Sequence, residues 1–473
     1  MDIGRYTVLG PLGRGGMGRV FKVRHRELGR VMALKLLEPP EVLVGLMGAE
    51  AIRSAFRREA RLLAACDHPN IAPVWDLGED RGRPFMVLDY LCMNVGTLVG
   101  EGMVVESPTR PLPAGTALNF ARQTLDALEY LHGRGIIHLD VKPANLLLAA
   151  DGTIKLIDLG LSRLRGEPWA PPKGLKIGSP FYAAPEQEAN PQTADERSDL
   201  FSVGVVLHRL LTGLLPEGGP ALDAGLPDPW REFFFRALAP EPDRRFQDAA
   251  VMRAALLDLE AELRRRGEDG CGLDEPVCTV MGRLRSDPVR TGVRGRPFDF
   301  LDGLYRPRAY HESELEEIGD GWLDRCTGLV WGPVSPWPMT WDEGAAFVAR
   351  EAVAEEGWRL PTVEEAVSLL RPGQELGEFC HRPFGDRYLW LWTADRRSFT
   401  SAWFVDVGAA AVLAQDRTCR FHVRPVRSVE TDGGRGGAQL MRPRSGSFRA
   451  GAGDCPIEPG IVGFSVAARP APA

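Results

Sequence analysis

A lysine, a glutamate, two aspartates and an asparagine lie far apart in this sequence, yet together they supply the parts of a phosphoryl-transfer site. Lys35 closes the apolar run Val31-Met32-Ala33-Leu34-Lys35, and Glu59 follows in Phe56-Arg57-Arg58-Glu59. A lysine neutralises phosphate charge best when a carboxylate orients it, and Glu59 is the candidate partner. The run Ile137-His138-Leu139-Asp140-Val141-Lys142-Pro143-Ala144-Asn145 then offers Asp140 to accept a hydroxyl proton and Lys142 to steady the group in transfer. Asn145 and Asp158, the latter in Ile157-Asp158-Leu159-Gly160, bring oxygen ligands for a hard cation such as Mg²⁺. Singly, such charges are usually solvated surface groups. Their order and company point to chemistry.

The elements that must position them are legible around them. Gly13-Arg14-Gly15-Gly16-Met17-Gly18-Arg19-Val20 lies between apolar strand segments. It predicts a hairpin whose glycines let backbone N–H groups approach phosphates. Residues 6–37 and 85–91 read as strands. Residues 49–65, 117–131 and 248–266 read as helices, the last ending in arginines and Gly267. A small β-rich lobe should precede a larger helical one. Asp199 is expected to open a helix at Ser198-Asp199-Leu200-Phe201.

With Gly178-Ser179-Pro180-Phe181-Tyr182-Ala183-Ala184-Pro185-Glu186 and Arg245 of Arg244-Arg245-Phe246, residues 4–266 resemble the eukaryotic-type protein kinases, in particular their bacterial serine/threonine branch. The resemblance implies an ATP site lined by Leu12, Gly13, Gly15, Gly16, Gly18, Val20, Ala33 and Lys35 from one side and Leu147 from the other. Leu88, Asp89, Tyr90 and Leu91 take the gatekeeper and hinge positions. Asp140 is then the catalytic base, Lys142 its phosphate-contacting partner, and Asn145 and Asp158 the Mg²⁺ ligands. Glu186 and Arg245 form a buried ion pair, and Asp199 braces the catalytic loop. Lys142 and Ser179 match the serine/threonine pattern. The family's His-Arg-Asp is His138-Leu139-Asp140 here, so the arginine that pairs with an activation-loop phosphate is missing. Activity independent of such a phosphate follows, with Leu139 as a packing residue the bland alternative. A nucleotide-binding pseudokinase scaffold is the competing reading.

The chain's 473 residues require more than one domain. With 44% hydrophobic and 26% charged residues it has globular composition, and a net charge of −7 gives no basic footprint for nucleic acid. Cys66, Cys92, Cys271, Cys278, Cys326, Cys380, Cys419 and Cys455 are scattered without a CxxC pair, which predicts reduced thiols and no zinc site. No signal peptide and no membrane span are expected, and the predicted location is cytoplasmic.

Residues 267–298 read as a linker with few contacts crossing it, and residues 299–428 as a second α+β domain rich in tryptophan. A Gly/Arg/Pro-rich tail, 429–473, follows, with a candidate strand at 460–467. Trp358-Arg359-Leu360-Pro361-Thr362, with Trp331, Trp341, Trp390-Leu391-Trp392 and Trp403, resembles the domain at the C-terminus of bacterial collagen-like adhesins, related to C-type-lectin-like and formylglycine-generating-enzyme-like folds. The expected architecture is therefore α+β: a bilobal kinase fold and a smaller lectin-like domain. That resemblance implies a module for a small-molecule, glycan or protein ligand, beside the protein substrates of the kinase. Arg359 is expected to be buried and bonded to backbone. The ligand loops are expected at 379–388 or 395–400.

Overall fold

The computed structural model describes residues 1–15, 17–102, 104–165, 179–216, 226, 228–266, 278–279, 284–292, 298–319, 321–354, 357–371, 380–381, 384 and 390–429. Gly16, most of the 161–178 segment, most of 379–388 and the tail from 430 lie outside them.

Strands β1 (Tyr6–Gly15), β2 (Gly18–His25), β3 (Val31–Leu37), β4 (Val74–Asp80) and β5 (Arg83–Asp89) form an antiparallel sheet in the order β1-β2-β3-β5-β4, extended at β1 by Asp2–Ile3. Period-two alternation sets the faces. In β3, Met32, Leu34 and Leu36 are buried, so Ala33 and Lys35 share the opposite face. Helix α1 (Ala49–Ala64) packs on the sheet with Ile52, Phe56, Ala60 and Leu63 buried. Glu59 is buried among these apolar residues, and a buried carboxylate needs a charged partner.

The larger lobe is built on α2 (Ala114–Gly133), α3 (Glu196–Thr212), α4 (Asp228–Ala237) and α5 (Ala249–Arg266). A small hairpin, β6 (Leu146–Leu148) with β7 (Ile154–Leu156), buries Leu146 and Leu148 and leaves Leu147 partly open. Helix α3 begins earlier than expected. Asp195 caps it in a reciprocal pair with Ser198, which places Asp199 inside the first turn.

In the second domain the elements run β8 (Leu315–Ile318), β9 (Gly321–Asp324), β10 (Leu329–Trp331), α6 (Trp341–Ala354), α7 (Val363–Val367), β11 (Trp390–Arg396), β12 (Ser401–Asp406), β13 (Ala411–Asp416) and β14 (Val426–Ser428). They make a four-stranded sheet, β8-β9-β10-β14, and a three-stranded one, β11-β12-β13. Trp390, Trp392, Phe404 and Phe421 fill the core, with the Trp392 and Phe421 rings stacked at 4.4 Å.

Two expectations for this half differ from what is seen. Arg359 is part-exposed, and its guanidinium grips Glu365 at 2.7 and 2.5 Å, with a longer bond to backbone at Leu360 O, 3.4 Å. Glu365 belongs to the Thr362–Glu365 capping box of α7, so the arginine anchors a helix start. Asp395 is fully buried and held by Arg285, Val289 N and Val363 N, so it is structural rather than part of a ligand loop. The residues that hold it show that 284–292 pack on the second domain.

Contacts also cross between the halves more than the linker composition suggests. Thr116 Oγ1 donates to Gly408 O at 2.6 Å, Arg110 Nε to Leu304 O at 2.5 Å, and Gln415 Nε2 to Cys92 O at 2.7 Å. One apolar cluster runs from α2, α3 and α5 into the Trp390–Phe421 core. A break in composition marks a break in chain path, and chain beyond it remains free to fold back. Among the described residues no helix is long and apolar enough to cross a membrane.

Candidate active site

The sheet and α1 bring the first three charges together. Lys35 Nζ donates to Glu59 Oε1 at 2.7 Å and to Asp158 Oδ1 at 3.1 Å. Burial disfavours the Lys35 ammonium, but the Asp158 and Glu59 charges outweigh it and hold its pKa above the ordinary value. Burial pushes the Glu59 carboxyl up to about 7, against the pull of Lys35. Asp158, whose side chain is partly exposed, is held well below the carboxylate range by Lys35. Two carboxylates share one ammonium, and the buried Glu59 Oε2 has no hydrogen-bond partner. The cluster is one positive charge short.

The second set gathers at the end of the helical lobe. Lys142 Nζ donates to Asp140 Oδ2 at 2.9 Å and to Ser179 Oγ at 2.6 Å, and Ser179 Oγ donates to Asp140 Oδ1 at 2.8 Å. Asn145 Nδ2 donates to Asp140 O at 2.8 Å and Oδ2 at 2.9 Å, which leaves its amide oxygen as a ligand atom. That oxygen and the ionised Asp158 are both hard donors. With the missing positive charge beside them, they fit Mg²⁺.

Asp199 holds this loop in place. Its fully buried carboxylate accepts from His138 N at 2.9 Å and Leu139 N at 2.7 Å, and lies 2.8 Å from His132 Nε2. The bonds pin Leu139 at φ 65°, a left-handed conformation that costs a non-glycine residue energy. The Leu139 side chain is buried beside Ile137 and Ala194. Glu186 and Arg245 pair bidentately at 2.7 Å for each bond.

The glycine-rich hairpin closes over β3. A Cβ at Gly18 would lie 2.0 Å from Leu36 O, so strand pairing alone demands glycine there. At Gly13 and Gly15 a Cβ would meet nothing within 4 Å. Open space at those two positions suits a backbone that approaches something outside the chain. Val20 pairs with Lys35 and Ala33 with Leu88 across the sheet, which continues into the hinge. The Asp89 carboxylate is taken by Arg30 and Trp75, each at 2.8 Å, so a base docking there would meet backbone. Leu12 is exposed at the hairpin.

Of the expected residues, Lys35, Glu59 and Asp158 form one hydrogen-bonded set and Asp140, Lys142 and Asn145 another, while Gly16 lies outside the described residues. The sequence reading passed over His132, and Tyr182, whose hydroxyl donates to Glu101 at 2.6 Å. The only local signal for His132 is its place in the last turn of α2.

Residues 6–222 match the family model for the protein kinase domain, and residues 321–427 that for the Lcl C-terminal domain. The chain is 37% identical over 224 residues to the serine/threonine-protein kinase pkn2 of Myxococcus xanthus, covering 46% of this chain and 25% of that protein. It is 35% identical over 283 residues to the probable serine/threonine-protein kinase SCO3848 of Streptomyces coelicolor, covering 54% and 40%. With the DNA damage-responsive serine/threonine-protein kinase RqkA of Deinococcus radiodurans it shares 34% identity over 366 residues, covering 75% and 49%. The chain spans a quarter to a half of the length of these relatives. The crystallised PknI kinase domain of Mycobacterium tuberculosis aligns over 55% of this chain and 98% of its own, at 28% identity and TM-score 0.42. Residues 6–222 are thus similar to the protein kinase domain of bacterial serine/threonine kinases, and residues 321–427 to the Lcl C-terminal domain.

Proposed function

We propose that this chain transfers the γ-phosphoryl group of ATP to serine and threonine hydroxyls of protein substrates, with Mg²⁺ as cofactor. The observation that carries the reading is the pair of hydrogen-bonded sets, Lys35–Glu59–Asp158 and Asp140–Lys142–Ser179, with Asn145 bonded to Asp140. Lys35, oriented by Glu59, places positive charge for the α- and β-phosphates. The hairpin backbone at Gly13 and Gly15 covers the phosphates, and the hinge from Leu88 to Leu91 takes the adenine. Asp140 accepts the proton of the incoming hydroxyl, which must displace the Ser179 hydroxyl from Oδ1 or approach beside it. Lys142 steadies the transferred group. Mg²⁺, when bound to Asn145 and Asp158, supplies positive charge against that which develops on the phosphoryl oxygens. The reading suits a cytoplasmic location, where ATP is at hand.

For the second domain the proposal is a ligand- or partner-binding module of the C-type-lectin-like kind. Support comes from a cavity of about 630 Å³ whose lining includes Trp341, Trp358, Arg359, Leu360 and Arg396.

The test is transfer from labelled ATP to a generic basic protein. Lys35→Met and Asp158→Asn should each lower turnover by about a hundredfold or more, since both residues act on charge that develops in the transition state. Wild-type turnover in both variants would refute the site.

A further inference from the structure

The seam between the two domains runs beside the hinge. Residues directly opposite each other in an antiparallel pair share a face of the sheet. Lys22 lies opposite Ala33, and Val20 opposite Lys35, so Lys22 of β2 stands on the same face as Lys35. That face looks toward the large lobe, since Lys35 reaches Asp158 from it. The second domain meets Lys22 there. Lys22 Nζ donates to Thr418 Oγ1 at 2.6 Å and stands 4.6 Å from the centre of the Tyr90 ring. Thr418 Oγ1 in turn donates to Asp416 Oδ1 at 2.6 Å, and Thr418 N to the same oxygen at 2.8 Å. With its proton taken by Asp416, the hydroxyl turns its lone pairs to the lysine. Tyr90 Oη and Cys419 Sγ are 3.8 Å apart. Just past the hinge, Cys92 O accepts from Gln415 Nε2 at 2.7 Å. Residues 415–419 therefore touch both the small lobe and the hinge.

The other end of the same strand rests on the large lobe. The turn from β12 into β13 carries Gly408, whose carbonyl accepts a buried bond from Thr116 Oγ1 of α2 at 2.6 Å. Ala409, Ala411 and Leu413 join the apolar cluster that also holds Ala117, Phe120 and Ala121 of α2. At about 3.3 Å per residue, the six residues of β13 reach roughly 20 Å. All six pair with β12, from Asp406 opposite Ala411 to Ser401 opposite Asp416, which stiffens the strand.

We propose, on the kinase reading above, that β13 is a strut between the kinase lobes and that Gln415 and Thr418 at its end are positioning residues for the nucleotide site. They touch no nucleotide themselves. They hold the hinge and β2, and through these they set how readily nucleotide enters and leaves. Opening the site moves the small lobe away from α2. With β13 fixed at both ends, that motion must break the Gln415 and Lys22 bonds or bend a paired strand. The Lys22–Thr418 bond is exposed and slight by itself, whereas the Gln415 bond is part-buried, so the larger share of the effect belongs to Gln415.

The experiment compares Gln415→Leu and Thr418→Val, alone and together, with wild type in the full chain. Both changes remove the polar atom and nearly keep the side chain's size. Stopped-flow release of a fluorescent ATP analogue and steady-state kinetics are the readouts. The double variant should release the analogue several-fold faster and show a raised KM for ATP, with kcat held or increased. Thr418→Ser, which keeps the hydroxyl, should behave as wild type. Lys22→Met should add nothing in the Thr418→Val background, because the two residues share one bond. An unchanged release rate in the double variant overturns the proposal. So does a fall in kcat without faster release, the mark of a merely structural role, and so do Lys22→Met and Thr418→Val effects that simply add. Wild type that binds the analogue but transfers no phosphate would count against the kinase reading instead.

Discussion

Asp199→Ala tests whether the catalytic loop is held by this one buried carboxylate. The substitution removes the acceptor of two backbone N–H groups, at 2.9 and 2.7 Å, and the partner of His132 Nε2. No water reaches the vacated position readily, because Asp199 is 0% exposed. A buried donor left unpaired costs about 1–3 kcal/mol, so two orphaned N–H groups cost about 4 kcal/mol together. That is a large share of the ~5–15 kcal/mol that holds a domain folded. At about 2–4 °C per kcal/mol, the thermal midpoint should fall by about 10 °C. Leu139, released from φ 65°, would relax and carry the adjacent Asp140 with it. Turnover should therefore drop far more than affinity for ATP. Asp199→Asn keeps one acceptor oxygen but turns an amide donor towards the other N–H, so it should fall between wild type and alanine. Scanning fluorimetry and steady-state kinetics on the full chain read both quantities. An alanine variant within about 2 °C of wild type and with unchanged kcat would refute the bracing role.

Glu59 should make stability depend on pH. Its folded-state carboxyl is raised from 4.5 to about 7, so its contribution is fully present below about pH 4.5 and is lost as pH climbs through about 7. Glu59→Gln should flatten that slope in nucleotide-free protein, as read by thermal midpoints from pH 4.5 to 8; an unaltered slope would place the titration elsewhere. Gly18→Ala should destabilise the small lobe, because its Cβ would meet Leu36 O at 2.0 Å. Gly15→Ala, with nothing within 4 Å, should leave the thermal midpoint unchanged and raise KM for ATP; the reverse pattern would contradict the assignment of the hairpin. Phosphatase treatment should leave turnover intact, since the buried Leu139 offers no charge to a phosphate. A large loss would show that another basic group does that work.

The candidate-site residues were legible because phosphoryl transfer, if they perform it, constrains them together. A lysine within a strand, a glutamate buried among apolar residues of a helix and the Asp140–Asn145 spacing each narrow the choice, and the structure brings Lys35 to Glu59 and Asn145 to Asp140 at hydrogen-bonding distance. Local rules carried less. Ser179 was readable as part of the serine/threonine pattern, but its bond to Asp140 Oδ1 is formed across 39 positions. The helix Glu41–Met47 escaped notice, being short, with Gly45 inside it and no buried residue to give it a face. Arg359 was misassigned although Thr362 and Glu365 spell a capping box, because a flanking Trp-Arg-Leu suggests burial more loudly than a cap suggests a carboxylate. The seam had no local signal at all. Lys22 and Thr418 are 396 positions apart, and nothing in either neighbourhood names the other.

The apolar cluster shared by α2 and the second domain also sets a clock for synthesis. Thr116 leaves the ribosome 292 residues ahead of its partner Gly408. At ~5–20 residues per second, that interval is roughly 15–60 seconds. Throughout it, the face of α2 that the finished protein hides stands bare in the crowded cell. A newborn chain of this sequence therefore has a built-in period of stickiness, and pausing codons between the two halves would lengthen it.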